Sequence, residues 1–338
     1  MTMRGWLRDG DTVVRPRVWF PAKILVSSAL LWWVLTRVDF SQLLTIAKAA
    51  SPGPLIAAFL VLILCHLLNT VKWQLLSGAI GLAVPFGVLL RSYFAGLFAS
   101  NFMPGVAGGD VVRVLSLSDR GEPLARVTSS VVIDRLVSLY VLLVVPGLCA
   151  LFSTSTVPLV SRRALVLSSV LVLVAAAVSF TPVWEKAVVR SRLHRVTFIR
   201  ELAGGLSRCR LGGGKILRAF GVGEASQLLS VLAFVLVSRS LGHPIGFWDA
   251  GLLTSVIVIG TMLPITVNGI GLRESLSVSL LRVVGMESEK ALMFSFTIFV
   301  FGVLISLGGI SRILAGSARI PTREDGDGSG LHTTRVVG

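Results

Sequence analysis

The sequence predicts an all-α polytopic membrane protein, with about six transmembrane helices plus two re-entrant hairpins arranged as an inverted repeat. Three observations carry this expectation. Of the 338 residues, 54% are hydrophobic and 14% charged, and the mean hydropathy is +0.83; such a chain is too apolar for a soluble protein and contains several runs of spanning length. Two apolar stretches, FASNFMPGVAGGDVVR (98–113) and MLPITVNGIGLRES (262–275), are broken by proline and glycine, residues that interrupt a helix by removing a donor or loosening the backbone. Finally, Lys and Arg collect in alternate connections between the apolar runs, as the positive-inside bias requires.

In chain order, residues 1–23 form a basic head with Arg4, Arg8, Arg15, Arg17 and Lys23. It is not expected to be a signal peptide, because no small-residue cleavage site follows the apolar run. Residues 24–182 read as the first membrane repeat together with the fourth span. Span one covers about 24–35, with Trp32 and Trp33 as interfacial anchors. Span two covers about 54–76 and carries Cys65, His66 and Asn69. The first broken segment, 92–117, is too short for two crossings of about twenty residues each, so a re-entrant hairpin is expected. Span three covers 127–152, with Asp134 and Arg135 inside it, and span four covers 165–180.

Residues 183–215 form a basic loop in which Val189, Leu193, Val196, Ile199, Leu202 and Leu206 recur every three or four positions between arginines. That spacing predicts an amphipathic interfacial helix on an anionic leaflet. The second repeat core, 216–314, holds span five (216–237), interrupted by Gly221, Gly223 and Glu224, the second hairpin (247–284), and span six (291–314). The tail, 315–338, is polar, rich in Gly and Asp, and reads as disordered.

The head, the segment 184–218 and the tail counted with Arg312 hold five, nine and four basic residues, whereas the connections 36–51 and 240–249 hold two or fewer. The basic segments are therefore expected on the cytoplasmic side. Three crossings per repeat turn the second copy over, as in many transporters. Pro104, Gly109 and Arg113 recur at the same offsets as Pro264, Gly269 and Arg273.

The chemistry is expected at the hairpins. Backbone broken at membrane depth survives only inside protein or along a watery cavity. A half-helix starting near Gly109 or Gly271 would aim its free amides inward, and Arg113 or Arg273 would add a bidentate charge, so an anion such as phosphate fits. The alternative is a structural hairpin in which each arginine snorkels or pairs with Asp110 or Glu274. Asp134 and Arg135 point about 100° apart and favour neighbours over each other, as locks or as substrate contacts. Glu224 and Gln227 either line the cavity or bond between helices, and His66 with Asn69 reads as a packing pair.

Other classes are excluded. The basic residues form no single stripe with aromatic platforms, so nucleic acid is not a partner. Cys65, Cys149 and Cys209 have neither metal-ligand spacing nor an even framework, so no metal, disulfide or cofactor is expected. No G-x-S-x-G, H-E-x-x-H or P-loop motif occurs, which signals neither a hydrolase nor an ATP motor.

The phrases FAGLFASNFMPGVAGGDVVR, SSVVIDRLVSLY and LPITVNGIGLRESL, with GMESEKALMFS downstream, resemble the lysylphosphatidylglycerol synthase transmembrane region, or flippase-like (UPF0104-type), family from about Ile24 to Leu314. The resemblance implies a multi-pass protein of the bacterial inner membrane, with relatives that move aminoacylated phospholipid between leaflets. It places Pro104, Gly108, Gly109, Asp110 and Arg113, with Pro264, Gly269, Gly271, Arg273 and Glu274, on the hairpin motifs. The second motif departs from the usual small residue and glycine at Val267 and Asn268. Candidate substrate-binding residues are these motif positions with Asn101, Asp134, Arg135, Glu224 and Asn268, and no catalytic residue is assigned. The two-domain relatives add a soluble aminoacyltransferase domain; the short tail here leads us to expect no such enzyme. A flippase-like transporter of an anionic or polar-headgroup lipid is therefore expected. The alternatives are a membrane-embedded transferase on a lipid-linked substrate and a non-catalytic partner of a lipid-modifying enzyme. The implied partners are a membrane phospholipid or glycolipid, the anionic lipid surface, and either further copies of the chain or such an enzyme.

Overall fold

The computed structural model describes residues 32, 36, 40–102, 108–153, 162–179, 213–262, 266 and 269–309. Among these there are ten α-helices and no strand: α1 (Phe40–Ala49), α2 (Pro52–Ala79), α3 (Phe86–Phe102), α4 (Gly108–Ser118), α5 (Leu124–Phe152), α6 (Arg162–Ser179), α7 (Gly213–Ser240), α8 (Phe247–Met262), α9 (Leu272–Val283) and α10 (Ser288–Ser306), the last extended by a 3-10 turn, Leu307–Gly309. Four stretches are long and apolar enough to cross a membrane, Pro52–Ala79, Leu124–Phe152, Gly214–Ser240 and Ser288–Gly309, with shorter apolar helices at Arg163–Val178 and Phe247–Met262. The protein is thus an all-helical membrane protein. Most of the expected first span, the basic loop with its amphipathic helix, the tail, and Pro104, Pro264 and Asn268 lie outside the described residues.

Spans two, three and five appear as α2, α5 and α7, each slightly longer than its apolar run because the helix continues into polar flanks. The expected break at Gly221 and Gly223 does not occur, and α7 runs through it. Glycine lowers helix propensity by about 1 kcal/mol, but membrane interfaces use small residues for close approach. A Cβ on Gly223 would lie 2.9 Å from the Val141 side chain and 3.4 Å from Cδ of Lys72. Gly223 is therefore a packing contact among α7, α5 and α2. Proline 146 sits buried inside α5, and the Ser169 hydroxyl of α6 donates to the Leu143 carbonyl beside it at 2.9 Å, the kind of neighbour support that lets proline persist in a membrane helix.

The two broken stretches fold back on themselves. A Cβ on Gly109 of α4 would collide with the Ser100 hydroxyl and the Gly96 carbonyl of α3. In the second stretch Gly269 faces Thr261, with a Cβ 3.3 Å from the threonine Cβ. Each hairpin is pinned by glycine against a hydroxyl residue, at positions 161 apart for Ser100 and Thr261.

The same register runs through the neighbouring elements. Gly81 and Gly242, which follow α2 and α7, take φ of 79° and 72°, a region glycine enters without steric cost. Their neighbours repeat the pattern, the Leu82 amide donating to Ser77 at 2.9 Å and that of His243 to Ser238 at 3.1 Å. Trp73 Nε1 donates to Ser130 at 3.2 Å, and the rings of Phe234, 161 positions after Trp73, and Phe294, 164 after Ser130 in the register that Gly121 and Gly285 share, meet at 4.1 Å.

Helices α2 and α7 cross where a residue meets its own counterpart. Cys65 and Ser226, 161 positions apart, exchange hydrogen bonds: the Cys65 thiol donates to the Ser226 carbonyl at 3.4 Å, and the Ser226 hydroxyl to the Cys65 carbonyl at 3.2 Å. Asn69 adds a bond to the Ser226 hydroxyl at 2.9 Å. Two apolar cores flank this crossing. One gathers Trp73, Leu76, Leu89, Leu117, Val127 and Ile133, and the other Phe234, Leu253, Leu281, Met286 and Phe294. Ala58 of α2 enters the second core and Ala219 of α7 the first.

Candidate functional site

The most polar buried region lies where the first hairpin meets α2 and α5. Lys72, Arg113 and Asp134 are 2%, 5% and 4% exposed. An isolated charge at such depth costs several kcal/mol, so each needs a partner. Asp134 supplies two: its Oδ2 accepts from Arg113 Nη2 at 2.9 Å, and its Oδ1 lies 3.3 Å from Lys72 Nζ. Lys72 also donates to the Ser138 hydroxyl at 2.5 Å, one turn further along α5. The outer layer is more open. Arg135 donates to both oxygens of Asp110, at 2.8 and 3.0 Å, and that carboxylate also lies 3.5 Å from Arg113 Nη1.

Helix geometry sets these pairings. Asp110 and Arg113 stand three residues apart in α4, on one face. Asp134 and Arg135 are adjacent in α5 and splay, so one reaches inward to Lys72 and Arg113 and the other outward to Asp110. Aromatic groups close the floor. The Arg113 guanidinium lies 3.9 Å above the Trp73 ring and 5.5 Å from that of Tyr93, an arrangement that attracts a desolvated cation to the ring face. Tyr93 in turn meets His66 Nδ1 at 3.2 Å. Gly96 leaves the room for this stem, since a Cβ there would lie 2.6 Å from Arg113 Cγ. One donor is left over, because Arg113 Nε is buried without a hydrogen-bond partner among the described residues.

The second hairpin is built differently. Arg273 donates to Glu274 Oε1 through Nε at 3.0 Å and Nη2 at 2.6 Å. Its guanidinium lies 4.7 Å from the Phe299 ring. Glu274 also accepts the Gly271 amide at 2.7 Å, so the helix start expected to offer free amides is capped by its own acid. Gly271 and Gly269, with φ of 81° and 75°, make the turn that permits this.

Of the expected site residues, Gly108, Gly109, Asp110, Arg113, Asp134 and Arg135 come together, with Asn101 half-buried in the last turn of α3. Gly269, Gly271, Arg273 and Glu274 form the separate second group. Glu224 lies on α7, one residue from the Gly223 contact with Lys72, and its Oε2 is buried with no hydrogen-bond partner among the described residues. Asn69 bonds between helices and His66 packs against Tyr93 and Phe94. Lys72, Trp73 and Tyr93 were not singled out from the sequence. A lysine inside an apolar run was the available signal, because an intramembrane cation marks a site by default.

Residues 21–309 match the family model described as lysylphosphatidylglycerol synthase TM region. A UPF0104 membrane protein of Archaeoglobus fulgidus is 33% identical over 139 residues, covering 39% of this chain and 41% of that relative. The aligned part thus spans about two-fifths of the relative's length. No solved structure matches. With the family model covering nearly all the described helices, the chain belongs to the lysylphosphatidylglycerol synthase transmembrane-region family.

Proposed function

We propose that the protein is a flippase-like transporter that moves an anionic or polar-headgroup lipid between leaflets without altering it covalently. The observation that carries this reading is the group of three cations and two carboxylates at the first hairpin, with Lys72, Arg113 and Asp134 buried and Arg135 and Asp110 partly open, which supplies a polar landing place inside an apolar bundle. A site of that kind at membrane depth is expensive to bury, and intramembrane ionisable residues mark substrate paths by default. Arg113 and Arg273, one on each hairpin, are the proposed headgroup-facing arginines. Substrate binds between repeats that rock about a fixed site, and the matched registers and the Cys65–Ser226 crossing support an inverted repeat of six crossings and two re-entrant hairpins. The positive-inside bias supports a bacterial inner-membrane location with both termini cytoplasmic.

Purified protein in liposomes containing labelled lipid tests the proposal. Wild-type protein accelerates leaflet exchange, and Arg113→Lys, which keeps the charge and loses the planar fork, slows it sharply. Arg113→Ala abolishes it while the protein stays folded, because Asp134 keeps Lys72 and Asp110 keeps Arg135. Wild-type exchange in Arg113→Ala sinks the reading. The unpartnered buried oxygen of Glu224 favours a second reading, a transferase on a lipid-linked substrate with Glu224 as base. New lipid product formed by the protein alone would mark that reading. Inertness until a lipid-modifying enzyme is added would mark a non-catalytic partner.

A further inference from the structure

The two hairpins share a glycine-to-hydroxyl contact at matching positions and differ in charge. Following the registers through Ser100 and Thr261, Arg113 and Arg273, and Gly121 and Gly285, the places of Lys72, Asp110, Asp134 and Arg135 in the first half are held by Ala233, Ile270, Ile298 and Phe299 in the second. Only the arginine recurs. In the second half it is paired, among the described residues, with Glu274 and rests on Phe299, so that group is already neutral.

The first-half cluster is not neutral. Among the described residues its three cations, Lys72, Arg113 and Arg135, face two carboxylates, Asp110 and Asp134, leaving one positive charge over. Glu224, the nearest acid on α7 in sequence to the Lys72 contact, makes no ion pair with the cluster. The inner three groups are almost fully buried, whereas Arg135 and Asp110 have side chains 44% and 23% exposed. The excess charge thus sits among the three inner groups, out of reach of screening by water, behind a partly exposed outer pair. The buried Arg113 Nε offers an unused donor at the same place.

We infer that the Lys72–Asp134–Arg113–Asp110–Arg135 cluster is a binding site for one singly charged phosphodiester, and that this selection by charge resides in the first hairpin, whatever contact Arg273 makes with the headgroup. A phosphodiester brings one negative charge and neutralises the cluster. A phosphate monoester, with up to two, overshoots it, and a neutral headgroup leaves the excess in place. Arg135 opens the entry by moving one arm of its fork from Asp110 to the phosphodiester oxygen, since guanidinium pairs carboxylate and phosphate with the same geometry. Asp110 retains Arg113 during that exchange. Lys72 holds Asp134 and thereby leaves Arg113 free to share its charge with the ligand.

The inference rests on the translocator reading for its ligand class, and it is tested by lipid retention, without transport. Full-length protein in nanodiscs is extracted into detergent and the retained lipid weighed by native mass spectrometry. Phosphatidylglycerol, which carries one phosphodiester, phosphatidate, which carries a monoester, and a neutral glycolipid are offered in equal amounts. Wild type is expected to keep phosphatidylglycerol over both others. Arg135→Gln makes the cluster neutral and leaves its buried core paired, so retention falls about tenfold or more. Lys72→Met makes it neutral from the inside, with the same result. Lys72→Met with Asp134→Asn restores the single excess charge and retention returns. Asp110→Asn raises the excess to two and turns preference toward phosphatidate.

If Lys72→Met does not fold, the double variant compared with Arg135→Gln decides the same point. Soluble glycerophosphoglycerol that displaces the lipid shows that the headgroup alone is read. Failure to displace it shows that the acyl chains are also needed, with the phosphodiester preference among lipids unchanged. Displacement by inorganic phosphate in preference to glycerophosphoglycerol, retention of phosphatidate over phosphatidylglycerol by wild type, or a double variant no better than Arg135→Gln overturns the proposal. Lipid retained in this pattern without leaflet exchange discards the translocator reading alone; exchange without selective retention discards the site alone.

Discussion

Asp134 is the residue on which the buried charges depend, since it partners Lys72 at 3.3 Å and Arg113 at 2.9 Å. Removing it leaves Lys72 as a cation 2% exposed with no carboxylate in reach among the described residues. Breaking a buried pair from one side costs about 3–5 kcal/mol, whereas removing both partners is often neutral. Asp134→Ala is therefore expected to lower the thermal midpoint in detergent sharply, and Lys72→Met with Asp134→Asn to recover most of the loss. Equal midpoints for Asp134→Ala and wild type would show that the pair is not buried as described. At this scale the sequence was informative about types and poor about partners. Asp110, Arg113, Asp134 and Arg135 were legible because charge is conspicuous in apolar runs. Their pairing was not, because Arg113 takes Asp134 from 21 positions away in preference to Asp110 on its own helix. Lys72 was overlooked because it lies near the end of an otherwise apolar span, where a lysine also reads as a snorkelling anchor.

The hairpins were legible as elements because proline and glycine punctuate an apolar run too short for two crossings. Their closure was not, since it depends on Gly109 finding Ser100 and Gly269 finding Thr261, contacts that no spacing rule contains. The helix α1 (Phe40–Ala49) was not foreseen, because the polar character of that connection masked its helical spacing. Gly221 and Gly223 were misread as a break, because glycine signals interruption and close packing with the same letter. The basic connections predict which side each hairpin enters from. Lys215, at the start of α7, donates to the Gly78 carbonyl at the end of α2 at 3.2 Å, so the start of α7 adjoins the end of α2 that leads into the first hairpin. Cys209 lies in that loop, and Cys65 and Cys149 are buried. In intact spheroplasts a membrane-impermeant thiol reagent should leave Cys209 unmodified, and permeabilisation should expose it. Labelling from outside would reverse the orientation of both hairpins.

At the scale of the molecule, the crossing of α2 and α7 and the hairpin contacts should behave differently under constraint. If the halves are related by a pseudo-two-fold axis through Cys65 and Ser226, rocking of one half against the other leaves that point nearly still. The second hairpin must instead slide against the first half, which it meets where Gly251 of α8 faces Cys149 of α5. A Cβ on Gly251 would lie 3.4 Å from the Cys149 Cβ, close to the roughly 3.5–4.5 Å of a disulfide. Two cross-links therefore separate pivot from moving part, each made with other cysteines replaced by serine. Ser226→Cys oxidised to Cys65 should leave lipid exchange at its reduced rate. Gly251→Cys oxidised to Cys149 should stop exchange, and reductant should restore it, which separates the lock from any cost of the added side chain. Loss of exchange on linking the crossing, with none on linking the hairpin, would place the motion elsewhere and remove the physical basis for alternating access in this bundle.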